Sequence, residues 1–323
     1  MGGQIESMKK FACIFPGQGS QSVGMAELLL SDPLSAEILN GANDILGFDL
    51  LGLMKNGPIE ELTLTANAQP AILSTSVALW KLLQHALEGA VPAFVAGHSL
   101  GEFSALVSSG AIKPLDAVKL VRKRGELMQN AVPAGQGAMA ALIGGTDENA
   151  RKLIGEVLAG EILDIANFNS PGQVVISGSA SAVDRAVKAA KDYGFKRAVP
   201  LQVSAPFHSR LMEPVGKLFS VELSKFEFSK PICPIIHNVN ARPNDNPDLM
   251  PEYLARQIDS PVLWTDSVLR MIDEGVEVFV EVGYGNVLQG LVKKISDGKN
   301  SKIIIGCSTP SDVDIVIKAL KGI

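Results

Sequence analysis

Val95-Ala96-Gly97-His98-Ser99-Leu100-Gly101-Glu102-Phe103-Ser104-Ala105-Leu106 sets one serine between two glycines, and the way the chain reaches that serine decides the fold. Ahead of it, Ala93 to Ala96 is a short apolar run after Pro92, the pattern of a buried strand. Behind it, apolar residues at Leu100, Phe103, Ala105, Leu106 and Val107, closed by Gly110, read as a helix. Ser99 therefore falls on a strand-to-helix turn. Such a turn strains its central residue and pushes the side chain outward, while Gly97 and Gly101 leave room for the bend to close. The first N–H groups of the helix lie beside the serine, where a developing oxyanion needs donors. The plain alternative is a glycine-rich turn holding a serine by coincidence, since the chain has 31 glycines. The strand before and the helix after favour a nucleophile.

Working outward, strands and helices alternate. Phe11 to Phe15 is a strand candidate, followed by the turn-rich Pro16-Gly17-Gln18-Gly19-Ser20-Gln21. Helices are expected around Met25 to Leu30 and Leu34 to Leu46, from Pro70 to about His85, and from Pro114 to about Met128. This alternation implies a parallel sheet covered by helices on both faces. The middle of the chain has another rhythm. Strand patterns near Met139, Leu163, Gln173 and Phe195 are separated by helical patterns after Asp147 and Ser181, with a turn at Asn169 to Gly172. That order is βαββαβ, a ferredoxin-like arrangement. The expected architecture is a hydrolase-like, doubly wound α/β subdomain made of residues 8–133 and 205–323. A small ferredoxin-like subdomain, residues 134–204, is inserted into it. The crossings are expected at Ala131 to Gly137 and at Ser204-Ala205-Pro206.

The 323 residues are 46% hydrophobic and 20% charged, a soluble composition with ample core. A net charge of −5 argues against nucleic acid as a partner. Cys13, Cys233 and Cys307 show no C-x-x-C spacing and fit buried thiols in a reducing cytoplasm. No apolar run has the length of a membrane span, and the first ten residues lack the apolar core of a signal peptide. Met8 is a second candidate for the start.

A nucleophilic serine needs a base, and there are four histidines. His85 sits near the end of an amphipathic helix. His98 precedes Ser99, where neighbouring side chains diverge, so it reads as structural or site-lining. His237 lies in an apolar strand pattern and reads as a hydrogen-bonded core histidine. His208, in an irregular stretch where the insert ends, is the best base candidate. No Asp or Glu is evident as a third triad member, but a backbone carbonyl can orient an imidazole instead. Arg124, within Leu120-Val121-Arg122-Lys123-Arg124-Gly125-Glu126, is either part of a solvated basic face or a fork for a substrate carboxylate. The three consecutive charges cannot share one helix face. Gly17-Gln18-Gly19 does not extend to G-x-G-x-x-G, because position 22 is serine, and no P-loop motif is present.

Taken in order, several segments form a joint pattern: Phe15-Pro16-Gly17-Gln18-Gly19-Ser20-Gln21, Gly97-His98-Ser99-Leu100-Gly101-Glu102, Arg124-Gly125, Asn167-Phe168-Asn169-Ser170-Pro171-Gly172-Gln173, Phe207-His208, Arg256-Gln257 and Glu281-Val282-Gly283. From about Lys9 onward the chain resembles the malonyl-CoA:acyl carrier protein transacylases of bacterial type II fatty-acid synthesis. One departure is Tyr284 before Gly285, where many members have proline. The resemblance implies Ser99 as nucleophile, His208 as base and the main-chain carbonyl of Gln257 as the group orienting the imidazole. It implies an oxyanion hole from the N–H groups of Gln18 and Leu100, with Arg124 holding the malonyl carboxylate. Gln18, Met128, Asn169, Phe207 and His98 complete the expected lining of the substrate site. No metal and no cofactor are expected, coenzyme A arriving as part of the substrate. The expected partners are malonyl-CoA and an acidic acyl carrier protein, with no nucleic acid, no membrane and a monomeric enzyme. Arg185, Lys188, Lys191, Lys196 and Arg197 are the candidate docking charges for the carrier.

Three other readings compete. The elbow is shared by serine hydrolases and thioesterases; Arg124 and the absent triad acid favour the transferase. A carrier-binding module without catalysis would not need both Ser99 and His208. A malonyltransferase of a polyketide pathway would carry the same site, and Phe207 beside His208 narrows the pocket against an α-methyl group.

Overall fold

The computed structural model describes residues 8–133, 135–203, 205–297 and 302–323. Among the described residues ten strands form two sheets: β1 (Phe11–Phe15), β2 (Phe94–Gly97), β3 (Gly137–Ile143), β4 (Leu163–Ser170), β5 (Gln173–Ser179), β6 (Arg197–Pro200), β7 (Ile235–Ile236), β8 (Pro243–Asn244), β9 (Val278–Val282) and β10 (Ile303–Cys307). The larger sheet has the order β10-β9-β1-β2-β7-β8. Its first five strands are parallel, and β8 closes one edge antiparallel to β7. From β1 the chain winds one way through β2 and β7, then returns to the other side of β1 with β9 and β10. That is a doubly wound sheet, whose sites lie outside the carboxyl ends of the strands. Apolar runs fill it because both faces are covered: β1, β2 and β9 are buried throughout. One face packs on the helix Thr65–Ala86, with Leu73, Val77 and Trp80 buried. The other packs on Trp264, Val268 and Met271 of the helix Trp264–Asp273.

The smaller sheet runs β4-β5-β3-β6 and is antiparallel throughout. The helices Asp147–Val157 and Ala180–Ala189 bury Leu153, Val183 and Ala186 against Leu142, Ile165 and Ile176. With β3, β4, β5 and β6 as its strands in chain order, this is the ferredoxin-like arrangement. The sheet is tied to the larger part of the molecule at β4. Phe168 N–H donates to Val262 O (3.0 Å) and Val262 N–H to Ala166 O (2.9 Å). The expected boundary residues Ala134 and Ser204 lie outside the described residues, as do residues 1–7.

Some local expectations differ. The stretch from Met25 forms successive turns and a short 3-10 helix, Leu29–Ser31, after Gly24 adopts φ +90°. The long apolar helix begins at Thr65, so Pro70 lies inside it. Proline has no N–H for the carbonyl four residues back. That carbonyl, Ala66 O, instead accepts from Arg122 Nη1 at 3.1 Å, so the cost of an interior proline is partly met by a neighbouring helix. Asn169 and Ser170 belong to β4, leaving Pro171 and Gly172 as the turn. The apolar strand pattern that includes His237 shrinks to β7, because His237 and Asn238 turn away to bond Glu102.

Candidate active site

β1 and β2 end level, Phe15 paired with Gly97, so the turns that follow them lie side by side. Ser99 stands between β2 and the helix Gly101–Ser108 with φ +49°, a strained conformation for a residue with a side chain. The flanking glycines are required by contact. A Cβ on Gly97 would lie 1.8 Å from Gly101 C, and one on Gly101 would lie 2.0 Å from Phe15 O. No side chain fits either position.

His208 follows β6 in an irregular segment and also has positive φ, +58°. Its Nε2 lies 2.7 Å from Ser99 Oγ and its Nδ1 2.8 Å from Gln257 O. A carbonyl only accepts, so Nδ1 carries the proton and Nε2 is free to accept from the serine. Gln257 can offer its carbonyl because it is the last residue of the helix Met250–Gln257, where carbonyls lack intrahelical donors. His208 is buried. Burial first, and then the charge of Arg124, press its pKa down to about 3, so the resting imidazole is neutral.

Arg124 projects from the helix Pro114–Gln129 and is fully buried. Its Nη1 donates to Gln69 Oε1 (2.9 Å), and its Nη2 to Gln257 Oε1 (2.8 Å) and Ser99 Oγ (3.2 Å). Its Nε has no partner. Among the described residues no carboxylate lies within ion-pair distance of it. Burial lowers its pKa to about 9, opposed by the charge of Glu102, so it remains a cation at neutral pH. A buried cation with an unpartnered donor, beside the Ser99 hydroxyl, fits an anionic ligand group. Its neighbours behave differently: Arg122 is half-buried and bonded to Glu126 and Asn67, and Lys123 is also half-buried.

The remaining predicted residues surround this pair. Gln18 follows β1, exposed, with Nε2 3.3 Å from Thr65 Oγ1. A Cβ on Gly17 would lie 2.4 Å from His98 O, so this turn presses against the elbow. Leu100 is the N-cap residue of the helix after Ser99. His98 points away from Ser99: its Nε2 is 2.8 Å from Asn169 Oδ1, its ring tilts against Trp264 at 5.7 Å, and burial lowers its pKa. Met128, one turn beyond Arg124, receives Gln69 Nε2 at 3.8 Å on its sulfur. Phe207 is buried beside His208. His85 is exposed at the far end of its helix.

Four residues went unrecognised in the sequence: Gln69, Glu102, Asn238 and the side chain of Gln257. Asn238 Oδ1 accepts from Ser99 N (2.7 Å), and its Nδ2 donates to Gly97 O (2.7 Å), so it braces the elbow from β7's end. Gln257 Nε2 donates to Ser99 O (3.0 Å) and to Glu102 Oε2 (2.7 Å). Gln69 and Asn238 lie in no motif, and the segments that contain Glu102 and Gln257 assign no role to either side chain. Only Glu102, a charge within an otherwise apolar helix face, gave a signal.

The sequence family described as the acyl transferase domain matches residues 12–314. The chain is 49% identical over 291 residues to the malonyl CoA-acyl carrier protein transacylase of Escherichia coli strain K12, covering 90% of this chain and 94% of that one. Against the Bacillus subtilis strain 168 protein of the same name it is 44% identical over 316 residues, covering 97% and 98%. Among solved structures it is similar to an acyl carrier protein S-malonyltransferase of Vibrio cholerae (TM-score 0.90, 44% identity, 95% of this chain and 99% of that one). It is also similar to a malonyl-transacylase solved in complex with a type II polyketide acyl carrier protein (TM-score 0.91, 42% identity, 97% and 100%).

Proposed function

Since the chain belongs to the acyl transferase domain family, we infer that it moves the malonyl group from malonyl-CoA to the phosphopantetheine thiol of acyl carrier protein, supplying fatty-acid synthesis. The observation that carries this reading is Arg124, a buried guanidinium 3.2 Å from Ser99 Oγ. A thioesterase needs no cation beside its nucleophile; an enzyme choosing an acyl group that ends in a carboxylate does.

The chemistry runs in two halves. His208 Nε2 takes the Ser99 proton as Oγ attacks the thioester carbon, and the oxygen charge that develops falls to the amides of Gln18 and Leu100. The C–S bond breaks, and His208 returns the proton to the coenzyme A sulfur. The carrier thiol then gives its proton to His208, its sulfur attacks the malonyl ester, and Ser99 leaves with that proton. The bound carboxylate also offsets the Arg124 charge that holds down the basicity of His208, so the correct substrate strengthens its own base. Nucleophile, base and anion site are all side chains of this chain, so the reaction needs no further cofactor. Three free, buried cysteines suit a cytoplasmic enzyme, and no helix among the described residues is long and apolar enough to cross a membrane. Residues 134–204 act as the small subdomain, carrying Asn169 over the elbow.

Ser99→Ala tests the reading. Mass measurement after mixing with malonyl-CoA is expected to give a malonyl adduct on the wild type and none on the variant. Labelling of the variant would refute the assignment, and steady release of free malonate by the wild type with carrier present would favour a hydrolase.

A further inference from the structure

Glu102 lies in the first turn behind Ser99 and is fully buried. Its Oε1 is 2.6 Å from His237 Nδ1, and its Oε2 accepts from Asn238 N (3.1 Å) and Gln257 Nε2 (2.7 Å). The proton positions follow from the neighbours. Asn246 N donates to Asn244 Oδ1 (3.1 Å) and Asn244 Nδ2 donates to Asn246 O (2.9 Å), so it is Nδ2 that faces His237 Nε2 at 3.4 Å. His237 Nε2 therefore accepts, its proton sits on Nδ1, and the ring is neutral. Glu102, receiving three N–H groups, is an ionised carboxylate whose charge His237 does not cancel.

Its opposite number is Arg124. The two are joined through one side-chain amide: Gln257 gives Nε2 to Glu102 and accepts Arg124 Nη2 on Oε1. Glu102 is also the charge that opposes the effect of burial on the guanidinium. A buried cation without a compensating anion is strongly destabilising. We propose that Glu102 is the amide-separated counter-charge of Arg124, and that it sets how strongly the site prefers an acyl group bearing a carboxylate. It acts through Gln257 and touches no substrate, so it is a positioning and charge-setting residue. The inference rests on the reading of Arg124 as the carboxylate holder. In the empty site the two charges offset each other. An arriving malonyl carboxylate is attracted by Arg124 and repelled by Glu102, whereas an acetyl group feels neither. The anion thus keeps Arg124 stable between turnovers and limits the grip on malonyl, which must leave as readily as it arrives.

Glu102→Gln keeps the shape and removes the charge. Its carbonyl oxygen can serve Asn238 and Gln257, while its NH2 meets a His237 ring in the other tautomer. The ratio of kcat/KM for malonyl-CoA over acetyl-CoA is expected to rise about tenfold, with KM for malonyl-CoA falling. Glu102→Asp, which keeps the charge, should leave the ratio within about twofold of wild type. A residue that merely braces the elbow would lower both substrates together and leave the ratio unchanged, and that result overturns the proposal. If Glu102→Gln does not fold, the double variant with Arg124→Gln decides: recovery of folding supports a charge pair, and continued failure refutes it. The reading of Arg124 fails separately, if Arg124→Ala leaves the malonyl preference intact.

Discussion

The role proposed for Arg124 implies two effects on the reaction that a single substitution separates. As the fork we propose for the malonyl carboxylate it would contribute a charge-assisted contact, and Arg124→Ala should cost malonyl transfer roughly 2–5 kcal/mol, or about 30- to several-thousand-fold. Acetyl transfer should persist or rise, since an acetyl group has no carboxylate to pair with the guanidinium. As a charge near His208 it lowers the pKa of the imidazole, second only to burial. The sign follows: a depressed pKa keeps His208 neutral, and base-competent, well below pH 6.5. Wild-type acylation should therefore hold its rate through pH 6, and Arg124→Ala should move the acidic limb upward toward the ordinary histidine value. The same shift bears on stability. The unfolded chain protonates His208 near 6.5 and the native one near 3, so this residue's contribution is full above 6.5 and is lost as pH falls through that window. A pH profile of single-turnover acylation checks this; an acidic limb that stays put in the variant would mean that Arg124 does not tune the base.

At the scale of elements, the helix Pro114–Gln129 delivers Arg124 because it packs very closely on the helix Thr65–Ala86. Gly125 is the point of contact: a Cβ there would lie 2.7 Å from both Ala66 Cα and Thr65 O, backbone atoms that cannot step aside. Gly125→Ala should spread the helices, cost about 1–3 kcal/mol in urea unfolding, and lower malonyl selectivity by loosening Arg124 from Gln69. Gly155, in the helix Asp147–Val157 with nothing near its missing Cβ, makes the contrast. There alanine should stabilise by about 0.5–1 kcal/mol and leave turnover unchanged. Equal losses at both sites would mean that helix propensity, and not the close approach, governs Gly125. The same two helices mark how far the sequence could be read. Periodicity shows their apolar faces, and the elbow's two glycines place Ser99 on a strand-to-helix turn, because those signals are local. Pro70 reads as a helix start in the sequence, yet lies inside the helix because its lost bond is made good by Arg122, a residue 52 positions away. The roles of Gln69, Asn238 and the Gln257 side chain were illegible for the same reason. Each is an ordinary polar residue until folding brings it against the elbow.

Across the whole molecule, 34 acidic against 29 basic residues give a net charge of −5, yet the carrier implied by the resemblance is itself acidic. Productive encounter then depends on local charge. On the small subdomain, two of the five candidate cations are already engaged. Arg185 closes the end of the helix Asp147–Val157 through Val157 O and Leu158 O and pairs with Glu161 at 2.6 Å, and Lys188 pairs with Asp184 at 2.6 Å. Lys191, Lys196 and Arg197 are exposed and lie within ion-pair distance of no carboxylate among the described residues. These three are the cations free to meet a partner. Lys191→Glu and Arg197→Glu should each raise the apparent KM for the carrier roughly three- to tenfold and flatten its dependence on salt, leaving kcat and the KM for malonyl-CoA near wild type. Lys217→Glu, on the larger part of the molecule and paired with Glu213, serves as a control that should move neither constant. A rise in KM for malonyl-CoA equal to that for the carrier would reassign the patch to the phosphates of coenzyme A. No change in either would make these lysines and this arginine solubilising charges, with the carrier docked elsewhere.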